Sequence, residues 1–431
     1  MEHYDIIIVG SGPAGLGAAF ELLSRKPILG ILILDRTQYS SGGLRNDCKM
    51  NFSWPIGFPE HCWEEGEART CLSRVEAFLK PEIMERRNLD RYSHRAEKLG
   101  ASLLEVRQAH LGTDGGLELI KELTAELARR GAALSLGETA LSVRLEDRVL
   151  VTDRRELAFD DLVVAPGRGG FAFLQSVMNE AGVPFTDNVV DIGIRVETRE
   201  EHYPIVRDYY DPKFLFPKKT RTFCTNSRAA HVVQERYESP EGGYWYSVNG
   251  HAWSASKPAN SLVNFALLKT VTLTEPLASG QSYARMLGAQ AALLGGGSPI
   301  MQRVGDFRLG KRSTRSGFCG DLYDFEPTLA SATPGDIGLV APAKILRAIW
   351  NAMKLLDTVV PGLLHPSTIM YYPEIKLYAN RPVFEDDHFR VRPHLYLAGD
   401  GAGTSRGITA AWASGLRVAD GILSGMEARR A

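Results

Sequence analysis

The chain has 431 residues, 44% hydrophobic and 23% charged, with 50 basic side chains against 51 acidic ones. That length suits two domains with full cores, and that composition is ordinary for a globular protein. A formal net charge of −1 offers no basic surface for nucleic acid or an anionic membrane, and no apolar run approaches the roughly 20 residues that cross a bilayer.

Five cysteines, Cys48, Cys62, Cys71, Cys224 and Cys319, form no C-x-x-C pair. That speaks against a disulfide framework, a zinc ribbon or a redox dithiol, and no metal site is expected. Met1 is followed almost at once by the first apolar run, without a basic and apolar leader. A cytoplasmic location with reduced thiols is therefore expected.

Asp5-Ile6-Ile7-Ile8-Val9 is a continuous apolar run, the pattern of a strand buried on both faces of a parallel sheet. It leads into Gly10-Ser11-Gly12-Pro13-Ala14-Gly15, a G-x-G-x-x-G, and then into a helical stretch, 16–23. Such glycines give a tight turn, a bare backbone beside a pyrophosphate and close helix–strand packing, while the helix N-terminus faces the phosphates. A second apolar run, 28–34, ends in Asp35-Arg36. An acid there accepts hydrogen bonds from a ribose diol and repels a 2′-phosphate. Strand, turn, helix, strand and acid in this order mark a dinucleotide site.

Next comes Gly42-Gly43-Leu44, whose glycine pair lets the backbone pass close to a ligand. Cys48 lies on its continuation, either as a thiol facing that ligand or as a small buried residue; with no partner cysteine nearby the buried reading is favoured. An aromatic loop at 50–63, with Phe52, Trp54, Phe58 and Trp63, suits packing more than ligand capping. Residues 64–110 are mixed, with helical patterns and no nameable chemistry. An amphipathic helix is expected over 117–130, ended by Gly131. Short alternating strands follow at 132–136, 140–145 and 149–151, and an apolar strand stops at Ala165-Pro166-Gly167, a turn placed beside a ligand.

From 190 the character changes. Residues 191–197 alternate as a strand, and 200–275 are rich in aromatic and β-branched residues, as in a mainly antiparallel sheet. A helical pattern spans 276–303 around Gly295-Gly296-Gly297. No strand precedes that triplet, so it is not a second nucleotide fingerprint. A further amphipathic helix is expected at 343–356 and a strand at 369–378. The last motif, Gly399-Asp400-Gly401, follows the apolar run 395–398 and precedes Arg406-Gly407-Ile408 and a helical run, 408–423. An Asp at that point can hold a polyol chain while the helix N-terminus faces a phosphate or a ring carbonyl. NAD has no such polyol, so the expected cofactor is non-covalent FAD.

With these motifs in place, the chain resembles the two-dinucleotide-binding-domain flavoproteins. Within them it is similar to a bacterial and archaeal family known only as uncharacterised FAD-dependent dehydrogenases. The likeness runs through 191–197 (DIGIRVE), Phe223-Cys224, 247–251 (SVNGH), 273–276 (LTEP), 310–314 (GKRST), 373–376 (PEIK), 398–403 (AGDGAG) and Ser405-Arg406-Gly407. Cys48 departs from it where a glycine is expected, and so does Arg228-Ala229, where a glycine turn is more usual. The resemblance implies an α/β fold: a Rossmann-like FAD-binding domain, 1–190 and 385–431, with a central parallel sheet and a β-meander. An α+β domain with a mainly antiparallel sheet, 191–384, is inserted in it. It also implies that the loop through Gly42, Gly43, Leu44 and Cys48 crosses the pyrophosphate towards the flavin.

The expected function is an FAD-dependent oxidoreductase, a dehydrogenase or reductase, moving hydride between flavin and a small organic substrate held between the domains. A monooxygenase or oxidase is the alternative, and a non-catalytic partner protein on the same fold the lesser one. NADPH or NADH, without a fingerprint of its own, would dock transiently. Candidate catalytic residues are His251, a residue type whose unperturbed range lies near neutrality, Arg312, which with Arg315 can bind a carboxylate or phosphate, and Glu374 with Lys376, two apart on one strand face. Each has a structural alternative: a hydrogen-bonded histidine, a solvated basic loop, an ion pair. Arg406 is expected to place a charge near the flavin ring.

Overall fold

The computed structural model describes the chain except for residues 41, 188, 239–243, 275, 277–278, 319–324, 379 and 430–431; Ser41, Glu275 and Cys319 therefore lie outside the described residues. Two compact units divide it. The first comprises 1–83, 106–188 and 378–431, and the second 84–105 and 189–377. The expected boundaries at 190 and 385 are thus corrected in two places, since 378–384 join the first unit and 84–105 the second. Strand Ser102–Leu104 pairs with Lys213–Phe216, and helix Asp90–Lys98 buries Tyr92 and Ala96 in the second unit's core. Pairing across more than a hundred residues leaves no local pattern in the sequence.

The first unit is built on parallel strands in the order Leu395–Leu397, Glu156–Val164, Glu2–Val9, Ile31–Asp35 and Ala133–Leu136. Because side chains alternate along a strand, Ile6 and Ile8 enter one core cluster while Ile7 and Val9 enter another on the opposite face. Ile31 and Ile33 divide from Leu32 and Leu34 in the same way. Two covered faces are why these strands read as unbroken apolar runs. Ala140–Arg144, Val149–Thr152 and Glu156–Val164 form an antiparallel meander that returns to the sheet.

Element ends shift for local reasons. The first helix, Pro13–Arg25, starts earlier than expected because proline at its first position is already set for helical φ and gives up an N–H with no helical partner. The second strand begins at Ile31, not at 28, where Ile28 is exposed. The helix expected at 117–130 is Gly112–Arg129, and Gly131 beyond it takes φ +93°.

In the second unit an antiparallel sheet runs in the order Ile300–Arg303, Ile369–Leu377, Val190–Arg199, Leu262–Val271, Thr220–Asn226, Lys213–Phe216, Ser102–Leu104. A short strand, Thr333–Pro334, joins its edge in parallel, and Ala229–Glu238 with Tyr244–Trp253 make a separate hairpin. The continuous helical pattern expected over 276–303 is wrong at its end. Helix Gly280–Leu294 stops where Gly296 and Gly297 take φ +62° and +91°, and Ile300–Arg303 is a buried strand. Helix Ala343–Val359 contributes Ile345, Ile349, Met353 and Leu356 to the same core as Ile192, Ile194 and Val196. No helix among the described residues is long and apolar enough to cross a membrane.

In the first unit, helix Pro13–Arg25 lies directly on the last helix, Ile408–Ala428. A Cβ on Gly17 would overlap Trp412, and one on Gly415 would overlap the Ala14 carbonyl. Gly415→Ala should therefore lower stability by about 1–3 kcal/mol through overpacking. Gly425→Ala, further along the same helix with no atom nearer than 3.9 Å, should raise it by about 0.5–1 kcal/mol. Urea denaturation of both variants checks this; equal effects would refute the packing account.

Candidate functional site

The three glycine turns meet at one end of the parallel sheet. A Cβ on Gly10 would overlap the Ala165 carbonyl, and one on Gly15 the Gly10 carbonyl. One on Gly399 would stand 3.0 Å from the Ala14 Cβ, and one on Gly401 would overlap Gly167. Backbone thus packs on backbone, and the motifs at 10–15, 165–167 and 399–401 are brought together without intervening side chains. Gly167, Gly399 and Gly407 all combine positive φ with ψ near 180° (64/−170°, 81/−172° and 91/176°). That region belongs almost wholly to glycine and clusters at ligand sites.

Two helices start at this place. Gly12 caps Pro13–Arg25 and Gly407 caps Ile408–Ala428; neither helix has a side-chain cap or an acidic residue in its first turn. No side-chain cap meets the first N–H groups of Pro13–Arg25, and its positive dipole end suits an anion, whereas the Asp400 carboxylate stands on the Gly407 amide at the start of the other helix. At Gly12 the nearest atom to a Cβ would be Ser40 Oγ, 3.7 Å away, and at Gly42 and Gly167 nothing lies within 4 Å. These glycines face open space, whereas Gly10 and Gly15 face the fold. Gly43 lies near Ile408, whose Cγ1 would be 3.6 Å from a Cβ there.

Asp35 is held more firmly than the sequence suggests. One carboxylate oxygen accepts from Ser11 N (2.8 Å) and Ser11 Oγ (2.7 Å), the other from Thr37 N (2.9 Å) and Thr37 Oγ1 (2.8 Å). Its acceptor positions are filled by the chain, so Asp35 braces the first glycine turn. Arg36 is exposed and reaches the turn at 168–170, its Nη2 standing 2.9 Å from where a Gly169 Cβ would be.

Asp400 opens the short turn Asp400–Ala402. Its Oδ1 accepts from Ser405 Oγ at 2.8 Å and its two oxygens share the Gly407 amide at 3.1 Å, with Arg168 Nε at 3.9 Å from Oδ2. Loss of water pushes this carboxyl above its ordinary range, against the opposing pull of Arg168, the Gly407 amide, Ser405 and Arg406. The side chain remains 22% exposed, so Oδ2 has room for a further donor. Ser414 Oγ accepts from the Gly399 amide at 3.1 Å and fixes the turn to the last helix.

Other candidates fall elsewhere. Leu44 and Cys48 are buried in the core, the Cys48 thiol beside Gly116, and burial together with Asp47 pushes that thiol up to about 12. Cys48 therefore packs in the core. The aromatic loop packs too: Trp63 Nε1 donates to Thr404 O at 2.7 Å, and Gly57 O accepts from Arg406 N at 2.8 Å. Arg406 places its guanidinium 3.9 Å above the Tyr378 ring. His251, Arg312, Glu374 and Lys376 all belong to the second unit. Arg312 is exposed on a loop. His251 lies in the hairpin opposite His231, its ring 5.9 Å from that of Trp253. Glu374 and Lys376 share a strand and pair at 3.1 Å, with Arg195 Nη1 also on Glu374 at 3.2 Å. Only these last two of the four are brought together. Sequence reading missed Ser11, Ser405, Arg168 and Arg195; the one available signal was the alternation of 191–197, which puts Arg195 on the same face as Asp191.

No protein-family model matches the chain. An uncharacterised protein of Clostridium beijerinckii is 24% identical over 462 residues, covering 97% of this chain and 80% of that one. Among solved structures, L-proline dehydrogenase from P. horikoshii is similar at 10% identity over 98% of this chain and 94% of its own, TM-score 0.45. A geranylgeranyl bacteriochlorophyll reductase-like protein from Thermoplasma acidophilum is similar at 13% over 100% and 80%, TM-score 0.44. Glycine oxidase from Geobacillus kaustophilus follows at 12% over 98% and 95%, TM-score 0.43. None of these likenesses is close enough to bear on the chemistry.

Because folding raises the Asp400 carboxyl, the stability it contributes is full at acid pH and is lost as pH rises through its folded-state value. Asp400→Asn keeps an acceptor for Ser405 and Gly407 without the charge. It should stabilise the FAD-free protein at neutral pH, and the gain should shrink as pH falls into the ordinary carboxylate range. Denaturation midpoints across pH test this; a pH-independent gain, or a loss at neutral pH, would contradict it.

Proposed function

We propose that the first unit binds FAD non-covalently and that the chain is an FAD-dependent oxidoreductase acting on a small organic molecule. The observation that carries this reading is the meeting of three glycine turns and two uncapped helix N-termini at one end of the sheet. In this reading Gly10, Gly12, Pro13, Ala14 and Gly15 form the pyrophosphate cradle, with Gly42 and Gly43 passing beside it. Asp35 receives the ribose diol, which would replace a Ser11 or Thr37 hydroxyl as donor and keep the count of hydrogen bonds. Asp400 holds the ribityl chain through Oδ2, and the amides following Gly407 face the polar edge of the ring. Ala165, Pro166 and Gly167 bound the space on the side of the meander.

Bound flavin supplies the hydride-accepting and hydride-donating chemistry. The chain's part is to exclude water, fix the ring and move a proton, and His251 is the proposed proton-moving group because its ordinary range lies near neutrality. Gly12→Val should give a folded but colourless protein, since a side chain would fill the cradle; a fully yellow variant would remove the site. Asp400→Ala should weaken FAD by about 1.5–3 kcal/mol, the range for a hydrogen bond to a charged group. Equilibrium dialysis checks it, and an unchanged dissociation constant would exclude the role.

A further inference from the structure

The second unit carries an open cleft of about 420 Å³, lined by Arg308, Trp350, Lys354, Asp357, Leu364 and His365. That volume lies in the range of small-molecule sites and exceeds what a bare ion needs. Three segments build it. Trp350, Lys354 and Asp357 stand at i, i+4 and i+7 on helix Ala343–Val359, and so on one face. Arg308 ends the short helix Val304–Arg308, and the turn beyond 359 brings Leu364 and His365.

The lining is held in place from behind. The Trp350 ring packs on Phe307, centres 4.8 Å apart. Asp357 Oδ1 accepts from the Gly362 amide at 3.2 Å and the Leu364 amide at 2.9 Å, which ties the turn to the helix. The His365 ring lies on that of His202, 4.2 Å between centres. Its Nδ1 accepts from Ser367 N at 3.3 Å and stands 2.7 Å from Ser367 Oγ. An amide can only donate, so the neutral ring carries its proton on Nε2.

The remaining polar groups of the lining are uncommitted. Arg308 and Lys354 are exposed, and neither side chain has a hydrogen bond or ion pair among the described residues. The same holds for His365 Nε2 and Asp357 Oδ2. Asp357 is the one carboxylate of this lining, and it is spent on the backbone of the turn instead of on Lys354, three residues away. Three donors from three segments therefore face one cleft beside an indole ring.

We propose that this cleft binds a nucleoside monophosphate. Arg308, Lys354 and His365 Nε2 match the three terminal oxygens of a phosphate monoester, where a carboxylate would offer two. Trp350 supplies a face on which a flat base stacks, and Asp357 Oδ2 is an acceptor for a ribose hydroxyl. The site is built from the second unit alone and does not depend on the flavoenzyme reading.

Calorimetric titration with adenosine monophosphate, adenosine and inorganic phosphate tests it, with FAD in excess so that the nucleotide does not enter a dinucleotide site. Adenosine monophosphate should bind once per chain, and adenosine and phosphate about tenfold or more weakly. Arg308→Met and Lys354→Met, both at exposed positions, should fold and keep FAD, yet lose adenosine monophosphate affinity by about 10- to 100-fold; Lys354→Arg should retain most of it. Absence of binding at millimolar concentration, equal binding of adenosine or of phosphate, or unaltered affinity in either Met variant would each overturn the proposal. If one Met variant does not fold, the other decides. A chain that takes no FAD but binds adenosine monophosphate through Lys354 keeps this site and removes the flavoenzyme, and a yellow protein that ignores the nucleotide does the reverse.

Discussion

Backbone in the first unit runs closer to backbone than any side chain allows. Gly10 against Ala165, Gly15 against Gly10, Gly401 against Gly167 and Gly415 against Ala14 are contacts in which a single Cβ would overlap a carbonyl. These contacts draw three turns, far apart in sequence, to one end of the sheet and seat the first helix on the last. The site follows from that packing. Where glycines face inward they let the fold close, and where they face outward, as at Gly12 and Gly167, they leave the backbone bare for a ligand. Ser11, Thr37, Ser405 and Ser414 then fix the turns by hydrogen bonds to Asp35, Asp400 and Gly399.

The second unit follows a different constraint. Its sheet hides an apolar face and a charged one, and the charged face is retained despite the cost of desolvating ions. Apolar residues of similar volume could fill such a face; here Arg195 and Lys376 are held instead by Glu374, at 3.2 and 3.1 Å. The pairing of Val190–Arg199 with Ile369–Leu377 shifts register between Gly193 and Arg195, and the left-handed Cys224, φ +50°, turns its carbonyl to accept from Arg195 at 2.6 Å.

Much of this was legible in the sequence, and the reasons are specific. The doubly buried strands announced themselves as apolar runs, and the fingerprint as strand, glycine turn, helix and acid. The two positions where the resemblance leads one to expect glycine have backbone to match, since Cys48 and Arg228 sit at φ +47° and +69°, where glycine would be unstrained. Hidden from sequence were features set by distant pairing. Residues 84–105 join the second unit through Ser102–Leu104, and Ile300–Arg303 is a strand because Ile369–Leu377 lies beside it. The bracing of Asp35 by Ser11 depends on where the first turn stands above the second strand. The shared use of Glu374 by Arg195 and Lys376 depends on cross-strand register, which a single strand's alternation does not reveal.

The most direct test of the central claim is titration of the purified, flavin-stripped chain with FAD and, separately, with FMN, followed by the visible spectrum and the bound stoichiometry. The account predicts one FAD per chain and far weaker retention of FMN, because the first glycine turn and Asp35 act on the pyrophosphate and ribose that FMN lacks. A chain that takes up neither flavin, or takes up FMN as firmly as FAD, would contradict it.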